Sequence, residues 1–183
     1  IVDRGYVTLV YIDTVLATAT SRTPENLDNV AQAIRKLQAV VARQPYELQY
    51  WLRLEDLYVR EAVLKNEAPR PEAEQAAARA LAIAPRRAEP WLVLGVLRIA
   101  QNNYTEADSA IVHALTLNPS YSPAVWSRIS ILLHDNKISQ AQAAAEAAVV
   151  KNIWPDKPND LQFLFDLYAT KQNYPAIVGL LDK

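Results

Sequence analysis

Apolar residues along this chain return every three or four positions, in blocks separated by prolines. Leu9, Ile12, Val15 and Leu16 show the spacing early, and Leu161, Leu164 and Tyr168 show it late. That period collects apolar side chains on one face of an α-helix. Pro24, Pro45, Pro85, Pro119 and Pro155 fall between the blocks, where a fixed φ and a missing amide proton end one helix or open the next. The pattern predicts ten helices in five hairpins: 4–20 and 24–43, 46–64 and 70–84, 88–101 and 104–117, 121–135 and 138–151, 158–171 and 174–183. The stretch from Val7 to Thr14 is rich in β-branched side chains, which suit strands. The three-and-four spacing through Leu16 nevertheless predicts a helix there.

Within the blocks, a set of anchors recurs. Residues 91–119 carry Trp91, Leu94, Gly95, Tyr104, Ala107, Ile111, Ala114 and Pro119. Before them, Trp51, Leu54 and Tyr58 repeat the mutual spacing of Trp91, Leu94 and Arg98, and Ala80, Leu81 and Pro85 close that earlier unit. After them, Tyr104 is followed 34 residues on by Ile138, Ala107 by Ala141, and Ala114 by Ala148. Asn173 and Tyr174 stand where Asn103 and Tyr104, or Lys137 and Ile138, stand in the preceding units. These anchors resemble the tetratricopeptide (TPR) family over residues 24–183, most specifically at 88–119. Glu55 and Ile129 depart from the small residue that lets paired helices approach, and Arg98 departs from the usual aromatic. The resemblance implies an all-α, right-handed TPR-like α-solenoid of about five helical hairpins, forming a single domain over 1–183. Within it, 1–43 is an atypical first hairpin, 46–85 a long repeat with extra residues around 61–71, and 121–151 and 158–183 degenerate repeats. One such hairpin cannot bury its own apolar face, so neighbours must stack on it. Trp91 and Leu94 are expected inside their hairpin, with Gly95 at the close approach.

Composition removes several function classes. Three glycines leave no phosphate-cradling loop, and the absence of cysteine excludes disulfides and thiolate metal sites while leaving the compartment open. A net charge of −1 provides no footprint for nucleic acid, and no apolar run reaches membrane length. His113 and His134 lie on different helices without a second ligand at metal-binding spacing. Glu72 with Glu74, and Asp156 with Asp160, sit at helix starts, where the helix dipole favours negative charge. Arg86 and Arg87 fall in an inter-repeat turn. No nucleophile is placed beside a base. These readings describe a non-enzymatic chain with no catalytic residue, no metal and no cofactor. The start at Ile1 and the lack of methionine read as a processed product or an excised domain.

In TPR proteins the concave face is lined by the first helix of each hairpin. The resemblance places Leu52, Asp56 and Val59, then Leu92, Val96 and Ile99, then Trp126, Ser130, Leu133 and His134 at those positions. The lysine and asparagine set that clamps a peptide carboxylate in chaperone-binding members is replaced by Leu92, Val93, Val96 and Ile99. Leu92, Val96 and Trp126 either touch neighbouring helices or form an exposed apolar patch of the kind that marks an interaction site. The ends offer a second surface, Leu9, Ile12 and Leu16 at one and Ile177, Leu180 and Leu181 at the other, the last hairpin being uncapped. Covering four such side chains contributes about 1.5–3 kcal/mol each, against roughly 4–15 kcal/mol for association. A head-to-tail contact that does not close on itself makes a helical filament. The expected partner is therefore protein, a copy of this chain or a peptide, with no nucleic acid and no membrane insertion of this segment. A second reading rests on Pro45–Tyr46 and the Trp51–Tyr58 hairpin, which look similar to TPR tails following the last membrane helix of O-antigen-ligase-like polysaccharide enzymes. It makes the chain an accessory, partner-binding domain.

Overall fold

A computed structural model describes residues 4–155 and 158–170. Every regular element among the described residues is an α-helix: α1 (Arg4–Thr18), α2 (Pro24–Val41), α3 (Leu48–Lys65), α4 (Pro71–Ile83), α5 (Ala88–Ala100), α6 (Tyr104–Leu117), α7 (Ser122–His134), α8 (Ile138–Val150) and α9 (Pro158–Thr170). The β-branched start is helical, and the helix expected at 174–183, with Asn173 and Tyr174, lies outside the described residues. Pro24, Pro71 and Pro158 each occupy the first position of a helix, where no amide proton is needed. Thr23 adds a side-chain cap, its hydroxyl accepting from the Asn26 amide at 3.1 Å.

Four helices stop in one way. Asn66, Asn102, Asn136 and Asn152 follow α3, α5, α7 and α8 with φ of 58, 59, 59 and 59°. Asparagine tolerates this left-handed region better than most residues. Around each, paired hydrogen bonds close the last turn: Asn102 N donates to Ile99 O at 2.9 Å and Asn103 N to Arg98 O at 2.8 Å, and Asn136 N to Leu133 O at 3.0 Å and Lys137 N to Leu132 O at 2.9 Å. These are Schellman closures, which satisfy carbonyls the helix would otherwise leave bare.

The chain divides into two compact units between Ala114 and Leu115. In the first, α1 packs on α2 and α3, α3 on α4 and α5, and α4 on α5. Ile12, Val15, Ala33, Leu37, Leu57, Ala76 and Leu97 belong to one buried cluster. In the second, α7 packs on α8, and Trp126, Ile129, Ala141, Ala145, Leu164 and Leu167 form a separate cluster. The extra residues of the long repeat go largely into α3, which runs 18 residues against 13 for α5.

The two departures from the small-residue pattern have a packing explanation. Gly95 faces α6 so closely that a Cβ there would lie 2.6 Å from Ile111 Cγ1 and 3.3 Å from the Ala107 carbonyl oxygen. In the other hairpins the register is the same but the sizes are exchanged: Glu55 is matched by Ala77, and Ile129 by Ala145. Glu55, Ile129, Ala77 and Ala145 are all buried. By register, these three hairpins each set one bulky residue against one small one across the seam, which suits dense interior packing. Trp91 and Leu94, expected inside their hairpin, are only half-buried.

Candidate partner-binding surface

The first helices of the first unit, α3 and α5, lie side by side and carry six of the expected groove positions. Leu52 and Leu92 are buried rather than open to a partner, Leu52 packing with Leu48, Ala80 and Val93. Asp56, Val59, Val96 and Ile99 are half-buried and so remain reachable. A charged string continues from Asp56 toward α1. Arg53 donates to Asp13 at 2.6 Å and lies 3.5 Å from Asp56, while Arg60 donates to the Leu16 carbonyl at 3.3 Å. Desolvation raises the Asp56 carboxyl above its ordinary range, with Arg53 and Arg60 pulling it back.

In the second unit, Trp126 is also interior, its indole donating to the Ile153 carbonyl at 3.3 Å. Leu133 is half-buried, and Ser130 donates to the Trp126 carbonyl at 3.1 Å and to Asp160 at 3.3 Å. His134 is exposed, with Nδ1 3.5 Å from Asp135.

At the α1 end, Ile12 is completely buried and Leu9 and Leu16 are half-buried, so Ile12 serves the core rather than an interface. Among the described side chains of α1, the large apolar ones that stand exposed are Val7 and Val10, 53% and 49% exposed. Spacing alone does not single them out, because both fall outside the stripe of Leu9, Ile12, Val15 and Leu16. Ile177, Leu180 and Leu181 lie outside the described residues.

A recurring aromatic niche accompanies this surface. The indoles of Trp51 and Trp91 donate to the carbonyls of Pro45 and Pro85 at 2.8 and 2.9 Å, a bond repeated because each proline opens its hairpin. Arg79 stands over Trp51 at 6.0 Å and His113 packs on Trp91 with ring centroids 4.0 Å apart. Recesses of about 470 and 280 Å³ adjoin the two tryptophans. Arg98, which replaces an aromatic, ties three helices together by pairing with Glu74 of α4 and with Glu106 of α6 at 2.8 Å. Its hydrogen bond holds the Glu74 carboxyl below the usual carboxylate range. The preceding repeat keeps the aromatic there: Tyr58, whose hydroxyl accepts from Gln38 at 2.9 Å. One polar group is not accommodated this way. Glu55 is completely buried and neither carboxyl oxygen has a hydrogen-bond partner.

Among the described residues, no helix is long and apolar enough to cross a membrane, and no three His, Cys, Asp or Glu residues come together as a metal site would need. No family model and no curated protein matches the sequence. The fold is shared with solved structures. PilF of Pseudomonas aeruginosa is 21% identical, with 98% of this chain and 75% of that one covered and a TM-score of 0.62. A thermophilic TPR protein of Thermus thermophilus is 18% identical over 86% of this chain and 81% of its own, with a TM-score of 0.63. MamA is 21% identical over 97% and 90%, with a TM-score of 0.54. The chain thus has the all-α helical-repeat fold of TPR proteins.

Proposed function

We propose that this chain is a non-enzymatic protein–protein interaction scaffold whose first partner is a second copy of itself, joined head to tail into a helical assembly. The observation that carries the reading is the apolar outer ridge of α1, where Val7 and Val10 stand about half exposed one turn apart while Ile12, Val15 and Ala19 fix the opposite face in the core. Leu9 and Leu16 are half-buried and pack against that core rather than on the ridge. A net charge of −1 offers little repulsion to oppose contact. The face made by Asp56, Val59, Val96 and Ile99 is the site for a further protein partner, in keeping with first-helix recognition in this fold. The opposite end of the contact is assigned to Ile177, Leu180 and Leu181.

The experiment replaces the ridge with charge. Val7→Lys combined with Val10→Glu alters two exposed positions, so helix content and thermal midpoint should stay within a degree or two of the parent. Light scattering should then find the variant monomeric where the parent is heavier. A variant that assembles as the parent does would contradict the proposed contact.

A further inference from the structure

We propose that the seam between α3 and α4 is a pH-responsive latch, closed when the Glu55 side chain is a neutral acid and loosened when it ionises. Glu55 has no accessible surface and no hydrogen-bond partner on either oxygen. It stands where the next hairpin has Gly95, which faces Ala107 and Ile111 of α6; the residues of α4 at the matching register, Ala73 and Ala77, are small, apolar and buried. A carboxylate stripped of water and left unpaired is far more costly than a carboxylic acid in the same place. The closed hairpin therefore selects the protonated form.

The surrounding charges do not reverse this. Asp56, its neighbour on α3, and Glu74 of α4 both disfavour a negative charge on Glu55, after desolvation as the main cause, and together they raise its titration well above the ordinary glutamate range. Arg98 of α5 is committed to Glu74 and Glu106. From α1, Asp13 binds Arg53, and Arg60 bonds the Leu16 carbonyl. From α2, Lys36 stands over Tyr11 at 4.0 Å, and Gln38 bonds Tyr58. Because the folded acid titrates above the unfolded one, its contribution is fully present below the unfolded value and is lost as pH rises toward the folded value. Asp56 and Val59 ride on the same helix, so loosening α3 also disturbs the face they form.

Two measurements on the full chain test the latch. A carbon-detected NMR titration of the Glu55 side-chain carboxyl should place its midpoint above that of an ordinary glutamate; a midpoint at or below the ordinary value overturns the proposal. Amide exchange of α3 and α4, corrected for intrinsic rates, should lose protection as pH rises, while α7 and α8 do not. Glu55→Gln should flatten that loss, and so should Glu55→Ala, a small residue like the one at this position in the next hairpin. Asp56→Asn should retain most of it. A slope that survives both Glu55 variants, or that disappears with Asp56→Asn instead, overturns the proposal.

Discussion

Gly95 and Ile111 hold matching shapes across one seam, with no room for a Cβ at residue 95. Adding a methyl group at residue 95 forces Ile111 or the α6 backbone to move, so Gly95→Ala should destabilise by about 1–3 kcal/mol, the usual scale of overpacking. Ile111→Ala alone should cost roughly 2–5 kcal/mol through the cavity it leaves. In the double variant the methyl added at residue 95 occupies space that the Ile111 side chain has vacated. Its cost should therefore fall short of the sum of the single costs by about 0.5–3 kcal/mol, read from urea melts as a double-mutant cycle. Strict additivity would show that the two residues do not share the seam. Glu55 and Ile129 were legible in the sequence as departures, but their compensation was not, because it requires reading Ala77 and Ala145 against them across the hairpin. Burial of Leu92 and Trp126 was one of two open alternatives, and that of Leu52 was not foreseen. A first-helix register says which face a residue occupies and not whether a neighbouring helix covers it.

At the scale of elements, helix positions followed from apolar period and proline, and both signals are local. The start at Pro24 and the breaks at Pro45, Pro85 and Pro119 needed only fixed φ and the missing amide. The terminators were less visible. Asn66, Asn102, Asn136 and Asn152 share a left-handed backbone, yet asparagine is common enough in turns that no single one announces it. Asn136→Val should cost roughly 1–2 kcal/mol, because a β-branched residue enters that region only with strain. Asn136→Gly should hold or raise stability, since glycine enters it freely. Chemical denaturation of the two variants checks this directly, and equal stabilities would contradict the closure assigned to α7.

At the scale of the molecule, fold class was the most legible property and the partner surface the least. Repetition makes a helical-repeat fold readable, because each unit restates the same anchors at Trp51, Trp91, Ala80, Ala114 and Ala148. An interface is written once and without period. Val7 and Val10 became candidates only when their neighbours Ile12 and Val15 were found in the core, which left the valines on the outside of α1. Head-to-tail self-association is tested most directly by sedimentation of the unaltered chain across a wide range of concentration. Head-to-tail assembly adds copies without closing, so average mass should keep rising with concentration and electron microscopy should show extended particles. A mass that stays at that of one chain at the highest concentration, or levels off at a closed dimer, would contradict the account.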